Sequence, residues 1–497
     1  MLKKKFKVNR KNGLASSISL GENLKLLFGR NSKKGAGVVK RAQATFRSRM
    51  KKRNFCFVDL FSGCGGLSLG LLNAGWKGLF AVEQSPMAFQ TLQHNLIDKR
   101  EHCEGQPKFS WPEWLEIKSY EINSFSQEFR TKLRQLRGTV DLVAGGPPCQ
   151  GFSFAGKRNK NDPRNGLFKH HLEIVDLIRP TFVLMENVQG IDTAFGIGNK
   201  GENKGRGRKK KSYADKIRKS LEKHGYEVQQ HVFRAADFGV PQFRPRYFTL
   251  GIKKEALDGF ESPNLKETLL DERNEFLKSK NLPVHRSVTV AEAISDLCTK
   301  GKILMECMDS ESPPGFLQID YERPESPYQH LMHKGLKGRL WNSLRLVNHN
   351  TKTIVKFKEI QSTCRKGVQL TPSDRKRLGI KKSVLTPLSG SQASHTLTTL
   401  PDDLLHYMEP RIHSVREHAR LQSFPDWFEF KGKFTTGGDK RTKECPRYTQ
   451  VGNAVPPLLA EAVGKGILSL ANQISELNMM VFDVKYSSKY KVPVTKA

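Results

Sequence analysis

From Phe55 onward, short apolar runs alternate with longer stretches in which apolar residues recur at helical spacing. The apolar runs predict strands at 55–60, 78–84, 139–146, 180–188 and 246–252. The amphipathic stretches predict helices at 67–76, 85–95, 166–179 and 213–226. This alternation predicts an α/β fold with a doubly wound, mostly parallel sheet. Ligands bind such sheets at the carboxyl ends of the strands, and the polar and glycine-rich motifs of this chain follow strands.

The alternation stops near residue 253, and this change defines the domain organisation. Beyond that point, charged segments, Pro-containing turns and short apolar runs predict a second, smaller, irregular domain. At 448–474 the pattern becomes that of an amphipathic helix, which we expect to pack back on the first domain. The predicted parts are a basic arm at 1–53, a catalytic and cofactor-binding domain at 54–252 plus 446–480, a basic insertion loop at 191–213, a target-recognition domain at 253–445 and a tail at 481–497.

Charge adds a prediction about partners. The chain has 84 Lys and Arg against 49 Asp and Glu, a formal net charge of +35, which favours a polyanion such as nucleic acid. Residues 1–53 hold 17 of these cations and one acid, Glu22. Such a block is typical of a disordered arm that binds polyanions, although an organelle transit peptide has a similar composition.

Cysteine usage and hydropathy limit the cellular compartments in which the protein is expected to act. The eight cysteines form no CxxC pair, which favours reduced thiols in a cytosolic protein over a disulfide framework or a metal site. We identify no apolar run that approaches membrane-spanning length. We therefore expect no metal and no membrane association.

A glycine-rich turn follows the first predicted strand. In "FVDLFSGCGGLSLG", Gly63, Gly65 and Gly66 would let a ligand approach the backbone and the following helix N-terminus. Ser68 takes the place of the third glycine of GxGxxG, so a dinucleotide is less favoured. Glu83 ends the second strand and is placed to accept hydrogen bonds from a ribose diol. A plain tight turn with an exposed glutamate explains these residues equally well.

A second group of polar residues follows later strands. Cys149 stands in the rigid turn "GGPPCQGFS", and Glu186 follows the strand "TFVL". Gln242, Arg244 and Arg246 alternate in "PQFRPRY", so in an extended chain they share one face. Individually, an inert thiol, a capping glutamate and a solvated strand face are the more common explanations. Their joint placement at one sheet edge favours a site with a thiolate nucleophile.

These segments, with "MENV", "RIHSVREHARLQSFPDWF" and "QVGNAVPP", occur in the order of the DNA cytosine-5 methyltransferase family, which the chain resembles from about Phe55 to Leu470 outside the variable domain. The resemblance implies a Rossmann-like S-adenosylmethionine methyltransferase fold and S-adenosyl-L-methionine as methyl donor. It implies that Cys149 adds to carbon 6 of cytosine, that Glu186 contacts ring nitrogen 3 and the exocyclic amine, and that Arg246 steadies the flipped base. Gln242 and Arg244 would support the site or contact phosphates.

The resemblance also implies further site residues. The candidate catalytic residues are Cys149, Glu186, Asn187, Gln242, Arg244 and Arg246. The candidate cofactor-binding residues are Phe61, Ser62, Gly63, Cys64, Gly65, Gly66, Glu83, Glu121, Ile122, Pro148, Asn453 and Val455. Ser153 and Arg164 are candidate DNA phosphate contacts. Glu121 departs from the family pattern, which has Asp on the third strand, and no residue declares itself as the base that removes the carbon 5 proton.

We therefore predict an enzyme that methylates carbon 5 of cytosine in a specific duplex DNA sequence, with the base flipped out of the helix. Residues 253–390 would read that sequence in the major groove. The likeness implies a bacterial, cytoplasmic, nucleoid-associated monomer that works beside a separate restriction endonuclease. Two alternatives stay open, a transfer RNA cytosine-5 methyltransferase and a non-catalytic DNA-binding homologue.

Overall fold

The computed structural model describes residues 54–98, 105–148, 166–192, 212–436, 440 and 443–489, with side chains described as far as residue 478. The predictions for the arm at 1–53, for Cys149, Ser153 and Arg164, for most of the insertion loop and for residues 490–497 of the tail lie outside these residues. The sheet and residues 253–445, called the recognition region after their predicted role, belong to one compact unit that begins at Phe55.

Six strands form the central sheet in the order β2-β1-β3-β4-β6-β5. They are β1 (Cys56–Leu60), β2 (Lys77–Val82), β3 (Leu142–Gly145), β4 (Phe182–Val188), β5 (Tyr226–Arg234) and β6 (Pro245–Lys253). The first four are parallel, and β6 is antiparallel to both of its neighbours. The predicted doubly wound, mostly parallel sheet is confirmed. No strand was predicted at β5, because this edge strand is mostly half-buried and carries polar residues in its middle.

Helices cover both faces of the sheet. They are α1 (Gly66–Ala74), α2 (Pro86–Leu96), α3 (Ile122–Glu128), α4 (Arg130–Gln135), α5 (Leu167–Ile178) and α6 (Tyr213–Lys223). The four predicted helices are α1, α2, α5 and α6, and they are confirmed. Helices α3 and α4 are one to two turns long, which is too short for an apolar period to identify them.

The recognition region contains short elements joined by irregular segments, as its composition predicts. Its helices are α7 (Lys254–Leu257), α8 (Leu265–Ser279), α9 (Val290–Ile294), α10 (Pro327–His333), α11 (Thr351–Thr363), α12 (Pro372–Arg377) and α13 (Val415–Leu421). Its strands are the antiparallel pair β7 (Leu304–Glu306) and β8 (Leu317–Ile319) and the parallel pair β9 (Thr386–Pro387) and β10 (Leu404–Leu405). Single 3₁₀ turns cover Gln189–Asp192, Ala235–Phe238, Ser295–Leu297 and Pro401–Asp403.

The C-terminal segment forms two helices where one was predicted, α14 (Arg447–Asn453) and α15 (Pro457–Lys489). The consecutive prolines at 456 and 457 explain the break, because a proline interrupts a helix and favours an extended residue before it. Helix α15 packs tightly on α1, since a Cβ added at Gly70 would lie 2.3 Å from the Ala460 Cβ. The Trp76 indole N–H also donates to the Gly464 carbonyl at 2.9 Å.

Among the described residues, one helical stretch, Arg447–Asn478, is long and apolar enough to cross a membrane by length and composition. This corrects our expectation that no such run exists. Its apolar window is 83% buried inside the protein, where α15 packs against α1 and α8. The apolar character is therefore that of a core helix.

Buried ion pairs hold the recognition region together and join it to the C-terminal segment. The Arg420 guanidinium, fully buried, contacts Asp296 at 3.2 Å and Asp426 at 2.5 Å. The Arg447 guanidinium contacts the Asp309 carboxylate at 2.5 Å. Removing one partner of such a pair leaves an uncompensated buried charge, at a cost of roughly 3–5 kcal/mol. The Arg420 pairs therefore stabilise the recognition region itself, and the Arg447 pair joins it to α14.

One fully buried carboxyl group, that of Asp59 in β1, also connects the sheet to a helix. The Ser68 hydroxyl of α1 donates to Asp59 Oδ2 at 2.5 Å, while Oδ1 is buried with no hydrogen-bond partner among the described residues. Desolvation by burial raises the pKa of Asp59 to about 7. The folded protein therefore binds a proton at Asp59 more tightly than the unfolded chain does.

This shift predicts a pH-dependent stability. The contribution of Asp59 is fully present below its ordinary pKa of 3.8 and is lost as the pH rises through about 7. In wild type we expect this group to remove up to about 4 kcal/mol from the free energy of unfolding across that window. Asp59→Asn, which keeps an acceptor for Ser68, removes this component. Urea titrations of both proteins from weakly acidic to neutral pH measure the difference, and identical pH slopes would contradict it.

Candidate active site

The turn between β1 and α1 has an unusual backbone. Phe61, Gly63 and Gly65 have φ values of 59°, 56° and 94°, all in the left-handed region. Such a value is strained for Phe61, and strained residues of this kind cluster at ligand sites. The Gly65 N–H donates to the Ser62 carbonyl at 2.9 Å and closes the turn ahead of α1. A Cβ added at Gly63 would meet no atom within 4 Å, so the turn leaves open space at this point.

Glu83, at the end of β2, is bound to this turn. Its carboxylate accepts hydrogen bonds from the Gly63 N–H at 2.9 Å and the Ser85 N–H at 2.7 Å. Burial raises the pKa of Glu83, and the two N–H donors oppose that rise. The turn that is predicted to bind the cofactor and the glutamate that is predicted to bind its ribose are therefore joined by a hydrogen bond at one edge of the sheet.

The C-terminal segment reaches the same edge from the far end of the chain. A Cβ added at Gly66 would lie 2.4 Å from the Val455 carbonyl oxygen. The Cys64 thiol donates to the Gln450 carbonyl at 3.6 Å. Val455 is buried and Asn453 is exposed. The structure thus brings "QVGNAVPP" against "FSGCGG", as the resemblance implies.

Glu121 and Ile122 lie next to this edge, because the Tyr120 N–H donates to the Glu83 carbonyl at 2.9 Å. The Glu121 side chain caps α3, since its carboxylate accepts from the N–H groups of Asn123 and Ser124, both at 2.9 Å. Ile122 is buried. These contacts give Glu121 a capping role, and its predicted contact with the cofactor adenine stays a prediction.

Glu186 and Arg246 form a largely buried ion pair on neighbouring strands. The Arg246 Nε lies 2.7 Å from the Glu186 Oε1, and the Arg246 and Glu186 side chains are 8% and 12% exposed. Burial raises the pKa of Glu186, while the positive charges of Arg246 and Arg244 oppose that rise. A Cβ added at Gly146 would lie 3.2 Å from Glu186 Oε2, so the carboxyl group lies directly over the turn after β3.

Asn187 positions the turn that leads to Cys149. Its side-chain amide donates to the Pro147 carbonyl at 3.3 Å, and the Gly146 N–H donates to the Leu60 carbonyl at 3.3 Å. The turn is therefore held from β4 on one side and β1 on the other. Pro148 is half-buried and is the last described residue before Cys149.

Gln242 and Arg244 are structural connectors in this arrangement. The Arg244 guanidinium, 2% exposed, donates to the Leu397 carbonyl at 2.9 Å and the Gly452 carbonyl at 2.7 Å. The Gln242 amide donates to Gln422 Oε1 at 2.5 Å, and its oxygen accepts from the Leu397 N–H at 2.9 Å. Of the two roles expected for them, these contacts favour support of the site over phosphate binding.

The sequence analysis did not single out His171, which lies beneath the turn after β3. Its ring atoms lie 3.1 Å from the position that a Cβ at Gly145 would take. The side chain is fully buried, and burial lowers its pKa to about 3, so the imidazole is neutral. A signal was available, since His171 shares the apolar face of α5 with Phe168 and Val175.

Among the described residues, one cluster has the residue types of a metal site, with Cys298, His406 and Glu409 close together. The Glu409 carboxylate already accepts from the Thr299 N–H at 2.6 Å and from the Arg411 guanidinium at 2.7 Å. His406 Nδ1 accepts from the Glu409 N–H at 3.0 Å. These atoms are therefore engaged in hydrogen bonds that fold the recognition region.

Comparison with known proteins agrees with this geometry. The family profile for C-5 cytosine-specific DNA methylases matches residues 55–469. The Type II methyltransferase M.DdeI of Desulfomicrobium norvegicum is 30% identical over 432 residues, which cover 85% of this chain and 90% of that protein. The Type II methyltransferase M1.HphI of Haemophilus parahaemolyticus is 30% identical over 421 residues, covering 83% and 87%.

A solved structure from E. coli, described as a DNA modification methyltransferase encoded within a prophage, has the same fold. It superposes with a TM-score of 0.53 at 24% identity and covers 84% of this chain and 100% of that one. With the profile match over most of the chain, the motifs at one sheet edge are those of a known enzyme class. The chain belongs to the C-5 cytosine-specific DNA methylase family and is a DNA cytosine-5 methyltransferase.

Proposed function

We propose that this enzyme methylates carbon 5 of a flipped cytosine through a covalent adduct of Cys149. The observation that carries the proposal is the buried pair of Glu186 and Arg246 over Gly146. Cys149 follows Gly146 by three residues, so covalent geometry keeps it within about 11 Å of that glycine. In this proposal the nucleophile and the carboxyl group would share one small pocket.

The residues present fit S-adenosyl-L-methionine. The open space at Gly63, the left-handed backbone at Phe61 and the bound carboxylate of Glu83 together provide room and a ribose acceptor. Gly65, Gly66 and Val455 would complete the pocket, with Pro148 between cofactor and base. When bound, the cofactor supplies an electrophilic methyl group on a sulfonium.

In the proposed reaction the Cys149 thiolate forms a bond to carbon 6, and a proton from Glu186 to ring nitrogen 3 balances the added negative charge. Carbon 5 would then take the methyl group, with the electrons of the broken sulfur–methyl bond left on sulfur. A base or water would remove the carbon 5 proton, the thiolate would leave carbon 6, and ring nitrogen 3 would return its proton to Glu186. The raised pKa of Glu186 suits this role, because it keeps the carboxyl protonated closer to neutral pH.

Carbon 5 and carbon 6 cannot be reached inside stacked DNA, so we propose that the base is extruded, at a cost of a few kcal/mol. Residues 253–390 would contain the segments that select the sequence. The likeness to type II methyltransferases supports a modification enzyme. We propose that it acts in the bacterial cytoplasm as a monomer, beside a separate endonuclease.

The first prediction separates DNA from RNA as substrate. Tritiated methyl from S-adenosylmethionine is offered with duplex DNA and with transfer RNA, and we expect label on DNA only. Cys149→Ser abolishes labelling because a hydroxyl is a far weaker nucleophile than a thiolate at neutral pH. Cys364→Ser, a half-exposed cysteine of the recognition region, is the matched control and retains labelling.

Two results would contradict the proposal. Label on transfer RNA alone would show that RNA, and not DNA, is the substrate. Full labelling by Cys149→Ser would show that Cys149 is not the nucleophile. In 5-fluorocytosine, fluorine takes the place of the carbon 5 proton that must leave in the last step. Elimination is therefore blocked, and the wild-type enzyme should remain covalently attached to DNA that carries this base. A denaturing gel detects that complex.

The second prediction concerns Glu186→Gln. We expect kcat to fall by about 10²–10⁴-fold, since the amide cannot deliver a proton, while S-adenosylmethionine binding by calorimetry is unchanged. In wild type, kcat should decline as the pH rises through the elevated pKa of Glu186, because the protonated form is the active one. This decline of kcat at high pH should be absent in Glu186→Gln. The control Glu173→Gln, which alters a surface ion pair with Arg130, should have the kcat and the pH profile of wild type. If Glu186→Gln kept the decline of kcat at high pH, Glu186 would not be the proton donor.

The third prediction concerns the basic arm. If residues 1–50 contact phosphates, their deletion should flatten the dependence of log K for DNA on log salt by about 0.9 for each phosphate that is no longer neutralised. Fluorescence anisotropy with duplex DNA over a range of KCl concentrations measures the slope. An unchanged slope would show that the arm does not touch DNA.

A further inference from the structure

Within the recognition region, residues 351–385 form a helical unit with a small core of its own. Helix α11, helix α12 and the segment after them enclose a separate apolar cluster that also includes a residue of β10. The buried members of this cluster are Ile360, Leu370, Leu378, Leu385 and Leu405. We call residues 351–385 the basic helical unit. Its own core makes it a rigid mount for the side chains on its surface.

The surface of the basic helical unit is strongly cationic. Its sequence contains ten Lys or Arg and two acids, Glu359 and Asp374. Both acids are already paired within the unit, Glu359 with Lys356 at 2.8 Å and Asp374 with Arg377 at 3.4 Å. The surplus of positive charge is therefore not neutralised from inside the unit.

Five of these cations are exposed and point to no carboxylate. Within the described part of the chain, no Asp or Glu lies at ion-pair distance from them. They are Lys352, Lys358, Arg365, Lys376 and Lys381. Clustered like charges repel one another and weaken the fold, whereas a polyanion converts the same cluster into a binding surface.

The unit is joined to the active site by a short series of contacts. Its Gly367 N–H donates to the Pro387 carbonyl at 2.7 Å, and the Gly367 carbonyl lies 2.9 Å from the His395 ring. The neighbouring Ser394 carbonyl accepts from the Phe243 N–H at 2.8 Å. Phe243 lies three residues before Arg246, so the unit stands beside the edge of the sheet that holds the Glu186–Arg246 pair.

We propose that the basic helical unit binds the phosphates of duplex DNA that flanks the target base, without reading its sequence. The inference rests on the proposed function for the substrate, and it adds a separate anchoring surface to the segments that would read bases. Lysines on a rigid helical surface bind phosphates as point charges and release counterions, which makes the binding salt-dependent. Such contacts offset the cost of extruding the base.

The test replaces four lysines together, as Lys352→Gln, Lys358→Gln, Lys376→Gln and Lys381→Gln. The matched control replaces four exposed cations near the amino-terminal ends of the parallel strands, at the opposite edge from the site, as Lys132→Gln, Arg134→Gln, Lys223→Gln and Lys254→Gln. A third variant with Arg at the first four positions keeps the charge. Thermal melts confirm that all three fold.

The readout is binding of short and long duplexes of arbitrary sequence over a range of KCl concentrations. In the first variant we expect the salt slope to fall by about 0.9 for each phosphate that is no longer neutralised, up to about 3–4 in all. The gain in affinity from lengthening the duplex should shrink, and the KM for plasmid DNA should rise by about tenfold or more because fewer counterions are released on binding. kcat at saturating DNA and the affinity for S-adenosylmethionine should not change, and the Arg variant should behave as wild type.

Equal slopes in the first variant and the control would overturn the inference, as would loss of transfer RNA binding alone. These outcomes are distinct from failure of the proposed function. If wild type transfers no methyl to DNA but its DNA affinity still depends on the four lysines, the proposed function fails and the binding surface stands. If wild type methylates plasmid DNA and the four lysines prove irrelevant, only the inference fails.

Discussion

The buried guanidinium of Arg244 is the interaction on which the site depends. It donates to two carbonyls, Leu397 and Gly452, that are 153 and 208 residues away in sequence. A charged group is expensive to bury without partners, and each buried carbonyl left without a donor costs about 1–3 kcal/mol. The chain before β6, the recognition region and the C-terminal segment are therefore held in one arrangement.

The antiparallel pairing of β6 with β4 determines the chemistry. It brings Arg246 from the start of β6 to Glu186 at the end of β4, 2.7 Å apart. Low exposure strengthens their attraction and raises the pKa of the carboxyl group at the same time. A carboxyl group that is held by a cation and whose pKa is raised by burial is suited to contact a ring nitrogen and an exocyclic amine.

Much of the fold was predictable, because the parallel strands are continuous apolar runs and their helices carry a clear apolar face. The edge strand β5 was missed because its side chains are polar and half-buried. The C-terminal helix was predicted as one because its apolar period continues through Pro456 and Pro457, whose effect is local and steric. Asp59 and His171 were missed because burial, which gives both their unusual pKa values, is a property of packing.

The sequence by itself determined the order of strands and helices, the family through its motifs, and the identity of the candidate nucleophile. The tertiary structure decided which polar residues act together. Gln242 and Arg244 share a face with Arg246 in sequence, yet hydrogen bonds to distant segments make them supports. Similarly, only the placement of residues 351–385 beside Phe243 turns a lysine-rich segment into a surface next to the site. Contacts between segments hundreds of residues apart carry no local signal, because their energy arises only when the chain is folded.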